Sequence, residues 1–173
     1  MEYEHIEHTF APVYDADSKV LILGTLPSVK SRENHFYYGH KQNRFWKVVA
    51  DLCGEPVPET IEEKKAMLLA HHIAIWDVIQ SCDIKGSSDS SIRNVEPTDI
   101  RRMLAESKIT GIYANGNKAG SLSSATAAHP INYIENIRKA DSASLRCSCP
   151  LPVLRMRHGP CKNCVKPGEI PLT

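Results

Sequence analysis

Between residues 20 and 49 the chain reads V-L-I-L-G-T-L-P-S-V-K-S-R-E-N-H-F-Y-Y-G-H-K-Q-N-R-F-W-K-V-V. Three aromatic rings and two imidazoles fall within six residues, His35-Phe36-Tyr37-Tyr38-Gly39-His40, and Asn43-Arg44-Phe45-Trp46 follow. Rings offer flat faces for stacking, and imidazoles and an amide offer hydrogen bonds. The chemistry indicated is capture of a ligand on an aromatic platform. Gly24-Thr25-Leu26-Pro27-Ser28 forms a tight turn just before it. Gly24 there lets backbone approach a ligand, and Pro27 stiffens the loop.

The elements that must hold these residues follow from pattern. Val20 to Leu23 is a short, branched aliphatic run that ends in glycine, as a buried parallel strand does. Phe45, Val48, Val49 and Leu52 recur at helical spacing, which predicts a helix over 43–53, stopped by Gly54. Thr60 and Glu63 form a capping box for a second helix, to about Leu69. Ile73–Asp77 reads as a second strand and Lys85–Asn94 as a polar loop. Thr98 is expected to cap a helix from Asp99 to Ser107. Ile109–Ala114 reads as a third strand, Asn115-Gly116-Asn117 as a turn, and a helix should start at Lys118. Alternating strands and helices imply an α/β fold with a parallel sheet covered on both faces. Gly24, Asp77 and Asn115 then end their strands along one edge, where such a sheet binds its ligand.

The run G-x-x-P-S, then Y-Y-G-H, then N-R-F-W-K, in that order and near that spacing, resembles the first motif of the uracil-DNA glycosylase superfamily. Within it the deoxyinosine (hypoxanthine) glycosylase branch is the nearest match. The resemblance covers residues 19 to about 122. It implies a three-layer α/β/α fold with a short parallel central sheet. The implied activity is hydrolysis of the N-glycosidic bond of deaminated bases in DNA, hypoxanthine and also uracil, with no metal or other cofactor. Mismatch-specific uracil glycosylases are the next relatives. Many of them carry Asn, and classical uracil glycosylases Asp, where this chain has Leu26. Leu26 cannot orient water, so in the deoxyinosine branch the resemblance points to Asn43 as the catalytic residue. An amide cannot abstract a proton near neutral pH; its role would be to orient the water.

Each assignment has a plainer counterpart. Asn43 is also a good helix N-cap. Tyr37 and Tyr38 either stack on a flipped base or pack the core. His40 either donates to a phosphate or leaving base, or lies on a surface loop. Gly24, Thr25, Leu26, Pro27 and Ser28 line the base site, with Ser28 and adjacent amides candidates for a phosphate. Asn115 reads the base or merely forms a turn. Ser88, Ser90 and Arg93, with Ser87, either follow the DNA backbone or belong to a solvated loop. Phe45 and Trp46 are expected in the core, and Asp77 in a structural role.

Composition sets outer limits. A chain of 173 residues suits one domain, and a net charge of +1 supplies no global basic field, so DNA binding must rest on local groups. No apolar run reaches membrane-spanning length, and M-E-Y-E-H-I-E-H lacks the features of a signal peptide. A cytoplasmic monomer is expected, with Cys53 and Cys82 as reduced packing residues.

After Leu122 the sequence changes character, which divides the chain into a glycosylase-like 1–122 and an aberrant 123–173, truncated or disordered. The superfamily's fourth strand, with a second motif such as L-P-S-T-S-P-A-N-A, is not found there. Ser148 to Arg157 can be encoded TCC TGC CCT CTA CCA GTC CTG CGA ATG CGG. Read from the third base of each codon, this gives L-P-S-T-S-P-A-N-A. The same register permits an amphipathic helix, a glycine turn and an apolar strand upstream, and another helix downstream. A single-base deletion near the codons for Leu122 and Ser123 would explain the pattern; resequencing that upholds the present frame throughout would refute it. Taken at face value, Cys147, Cys149, Cys161 and Cys164 instead have zinc-ligand character, and a non-catalytic zinc-dependent nucleic-acid binder is the alternative.

Overall fold

Two sheets meet at the strand that follows Asp77. The computed structural model describes residues 2–86, 88–126 and 132–134. The first sheet is parallel, in the order β3 (Ile73–Asp77), β2 (Val20–Gly24), β6 (Gly111–Asn115), β7 (Asn132–Ile134). Leu21 lies beside Ala74 and Ile112, and Gly24 beside Asp77. Side chains alternate across it. Val20, Ile22, Ile73, Ile75 and Tyr113 face α2 (Phe45–Cys53) and α3 (Ile61–Ala70). Leu21, Leu23, Ala74, Ile112 and Ala114 face α4 (Ile100–Glu106) and α5 (Asn117–Thr126). Helices cover both faces, which makes the expected three-layer α/β/α arrangement. Each buried aliphatic side chain contributes on the order of 1.5–3 kcal/mol, so this double burial dominates stability.

The capping box that starts α3 is complete: Glu63 N–H donates to Thr60 Oγ1 at 3.1 Å, and Thr60 N–H to Glu63 Oε2 at 3.1 Å. The same contact holds the Glu63 carboxyl below its ordinary pKa. Cys82 is buried and Cys53 partly so; both are free, and burial pushes the Cys53 thiol up to about 12.

Several elements differ from expectation. The second sheet is antiparallel, β1 (Glu4–Glu7) with β4 (Ile79–Ile84) and β5 (Arg93–Pro97), and no pattern announced it. It packs a third apolar cluster, Ile6, Ile79, Cys82, Ile84 and Ile92, with Leu26 against it. The polar loop is the hairpin between β4 and β5, with a 3-10 turn at Asp89–Ser91. A short helix α1 (Val29–Glu33) follows Ser28. Thr98 does not cap α4. Its hydroxyl donates to Asp77 O at 2.8 Å, and Asp99 accepts from Arg101 N–H as the cap instead. The helix expected from Lys118 starts at Asn117 and runs to Thr126, past the change in sequence character, and the three residues of β7 pair with β6. The zinc-ligand alternative, Cys147, Cys149, Cys161 and Cys164, lies outside the described residues, as does most of 123–173. Among the described residues no helix is long and apolar enough to cross a membrane.

Candidate active site

The parallel strands bring Gly24 and Asp77 side by side. A methyl built on Gly24 would lie 2.0 Å from Asp77 Oδ1 and 3.2 Å from the Tyr38 hydroxyl. The glycine is therefore needed for the carboxylate of a neighbouring strand, not only for approach of a ligand. Asp77 Oδ2 meets His8 Nε2 at 3.1 Å, with the two side chains 8% and 1% exposed. His8 follows β1, and its N–H donates to Gln80 O at 2.8 Å, so the antiparallel sheet delivers the imidazole. Burial raises the pKa of Asp77, and the His8 contact opposes the rise. With Thr98 on its carbonyl, Asp77 is clamped at backbone and side chain.

Tyr38 spans the sheet edge. Its ring stacks on Phe45 at 3.8 Å between centroids and 21° between planes, and its hydroxyl accepts from Asn115 Nδ2 at 2.6 Å. Tyr38 has φ of 51°, a left-handed conformation uncommon for a non-glycine residue. Tyr37, by contrast, is a core residue. It is 2% exposed, packs on Phe10 and Phe36 edge to face, and donates to Ala11 O at 3.2 Å. Burial, then the charge of Asp77, raises its phenol pKa above the usual range. Its ring packs edge to face on its neighbours, while Tyr38 stacks on Phe45. Gly39 presses against α1: a side chain there would meet Lys30 O at 2.9 Å.

Asn43 does not occupy the N-cap itself. Arg44 does, and Asn43 Oδ1 accepts from Phe45 N–H at 3.0 Å. That contact turns Oδ1 toward the helix end. His40 Nδ1 accepts from Gln42 N–H at 3.2 Å, which leaves Nε2 as the outward nitrogen. Ser28 is the cap of α1: its oxygen accepts from Ser31 N–H at 3.3 Å and meets Ser31 Oγ at 3.0 Å. The hydroxyl proposed for phosphate is thus engaged within the loop.

Two cavities share one wall of Leu26, Pro27, Ser28, Val29, Tyr38 and Asp77. One, about 510 Å³, adds Tyr37, His40 and Asn43; the other, about 450 Å³, adds Gly24, Thr25 and Asn115. Both volumes fall within the range of small-molecule sites, about 300–1,000 Å³. All the residues assigned to catalysis or base binding therefore converge on one edge. A profile of the uracil DNA glycosylase superfamily matches residues 11–166, most of the chain. The chain belongs to the uracil DNA glycosylase superfamily. Two curated relatives are named hypoxanthine DNA glycosylase. One, of Methanosarcina acetivorans, is 37% identical over 119 residues, covering 66% of this chain and 74% of its own. The other, of Methanosarcina barkeri, is 31% identical over 115 residues, covering 64% and 72%. A solution NMR structure of a Methanosarcina acetivorans protein, described as a candidate uracil DNA glycosylase, superposes with a TM-score of 0.65 at 30% identity. It covers 81% of this chain and 88% of that one.

A glycosylase of this superfamily must also hold the sugar-phosphate backbone. Lys30, ion-paired with Glu33 at 2.6 Å, and Arg44 line the first cavity, and Arg32 and Lys118 the second, with Asp77 the acid among the lining residues of both. That local basic rim was invisible in a net charge of +1. The DNA-backbone residues expected elsewhere do not join it. Ser88 and Ser90 bond to each other at 2.7 Å in the hairpin turn, and the Arg93 guanidinium lies 3.3 Å over the Tyr3 ring. None of the three lines either cavity. The His8–Asp77 pair beside these cavities was not foreseen. Asp77 at a strand end on the active edge was the one available signal; nothing local marks His8 as its partner.

Proposed function

We propose that this protein is a DNA glycosylase that releases hypoxanthine, and to a lesser degree uracil, from DNA as the first step of base excision repair. The observation that carries the reading is Asn43, held by its own helix start at the wall of a cavity that Tyr38, stacked on Phe45, also lines. A nucleotide extruded from the duplex fits such a pocket. The N-glycosidic bond lengthens through a transition state with cation character on the sugar. Tyr38 offers a face to the base, His40 Nε2 a hydrogen bond to a phosphate or the departing base, and Asn43 a grip on the attacking water. The relatives' names support hypoxanthine as the base. The protein acts on DNA as a monomer in the cytoplasm.

The tail enters the same proposal. A loop like L-P-S-T-S-P-A-N-A would grip the strand after extrusion, so a chain with residues 123–173 restored to the alternative frame should release base faster than this one. The test is release of hypoxanthine from a defined duplex by the present and frame-restored chains, each with Asn43→Ala and Asn43→Ser. Serine keeps a capping oxygen but lacks the amide. Both substitutions should lower kcat by about 100-fold or more, the scale for one placed hydrogen-bonding group. Excision untouched by Asn43→Ala would overturn the catalytic role, and equal turnover with either tail would show the second motif to be dispensable.

A further inference from the structure

A groove along α3 shares no lining residue with either cavity of the catalytic edge. One side of it is a helical stripe, Glu63, Ala66, Met67 and Ala70, at the i, i+3, i+4, i+7 spacing that puts side chains on one face. The other side is the loop Glu55-Pro56-Val57-Pro58-Glu59 that leads into the helix. Each proline fixes its own φ and restricts the residue before it to extended backbone, so this wall is stiff. Val57 is 49% exposed, an aliphatic side chain offered to the groove, while Met67 is buried beneath. The two alanines leave the space unfilled, and a hollow of about 540 Å³ remains.

The charges around the hollow have one sign. Glu55, Glu59 and Glu63 line it, and among the described residues no lysine or arginine does. The lysines of α3 are turned elsewhere: Lys64 Nζ lies 5.5 Å over the Trp46 ring, and Lys65 Nζ 5.7 Å over the Phe36 ring. His71 Nε2 meets Glu55 Oε1 at 3.4 Å, and Glu63 Oε2 closes the capping box. Among the described residues the Glu59 carboxylate has neither an ion pair nor a hydrogen bond. Such a rim repels a phosphate backbone, so this face is not a second DNA surface. We propose that the groove docks a short extended segment of a partner protein, in which aliphatic side chains are flanked by lysine or arginine. Charge complementarity selects that occupant: the aliphatic groups fill the hollow against Val57 and Met67, and the cations meet Glu55 and Glu59. Methionine adapts its shape to such a guest. The ten residues of α3 span about 15 Å, the length of about five extended residues. Docking there leaves both cavities open to DNA.

The test uses the full chain and a fluorescein-labelled peptide, Lys-Arg-Leu-Leu-Lys, with Lys-Arg-Ser-Ser-Lys and Glu-Glu-Leu-Leu-Glu as controls. By fluorescence anisotropy the first should bind at least about 10-fold tighter than either control, the scale of burying one aliphatic side chain. Glu59→Lys reverses the rim charge, and Ala66→Trp fills the hollow; both positions are exposed. Each substitution should weaken the peptide by about 10-fold or more, the loss expected of one charge contact or one filled pocket, and leave hypoxanthine release unchanged. Amide shifts in the 15N-labelled chain should centre on Val57, Ala66 and Ala70. Equal binding of the three peptides, no binding of the first, or full binding by both variants overturns the proposal. Should the variants fail to fold by circular dichroism, the shift map of the native chain decides, and shifts centred away from the groove overturn the assignment. Self-association in sedimentation that Ala66→Trp abolishes would make a second copy of this chain the occupant and overturn the partner reading. The peptide measurements stand whether or not the chain releases a base.

Discussion

Replacing Gly24 by alanine adds one methyl group at the most crowded point of the site. That methyl would sit 2.0 Å from Asp77 Oδ1, far inside any real contact, and 3.2 Å from both Asp77 Cγ and the Tyr38 hydroxyl. Asp77 has little freedom to yield, with its carbonyl on Thr98 and its Oδ2 on His8. Displacing the carboxylate loses a charge-assisted hydrogen bond, about 1.5–3 kcal/mol, and overpacking adds about 1–3 kcal/mol. A loss near 3 kcal/mol corresponds to a drop in Tm of roughly 6–12 °C for a chain of this size. Urea denaturation of the native chain, Gly24→Ala, Asp77→Ala and the double variant gives the coupling directly. Removing the Asp77 carboxylate should relieve the added methyl, so the double variant should be about as stable as Asp77→Ala alone. Losses that add to within about 0.5 kcal/mol would show that the two residues do not compete for the same space.

Thr60→Ala opens the capping box of α3 and should cost about 1 kcal/mol in urea denaturation, with base release unchanged, because the helix start lies outside both cavities. Stability should also depend on pH through Asp77. Its folded pKa is raised by burial. The folded chain therefore keeps that proton when the unfolded chain has lost it, and the stabilisation is full below about pH 4 and falls as pH rises through the elevated value. Thermal melts of Asp77→Asn against the native chain should show a flatter Tm over that window; parallel profiles would contradict the assignment.

The parallel half of the fold was legible because its signals are local. Val20–Leu23 is an uninterrupted aliphatic run, and Thr60 and Glu63 announce a helix by hydrogen-bonding chemistry alone. The antiparallel sheet was not. One residue, Val78, separates β3 from β4, and the mixed run Ile79–Ile84 (I-Q-S-C-D-I) carries no clean strand pattern, so β4 was not read. β1 has four residues, too few to establish a period, and its partner lies far along the chain. The edge that gathers Gly24, Asp77 and Asn115 followed from the α/β pattern, and so did the division of Phe45 and Trp46 to the core. Tyr37 and Tyr38 were indistinguishable as letters. The positive φ of Tyr38, the ring packing around Tyr37 and the Asn115 contact separate them. Pairing across 69 residues, as between His8 and Asp77, has no local trace.

His8 makes the opening segment part of what holds Asp77 in place. A purification tag that strains the first turn, a protease that trims ten residues, or a start codon placed slightly too late would leave every parallel strand intact. Each would still displace or remove the imidazole under Asp77, so what looks like harmless trimming at the margin would be felt at the centre.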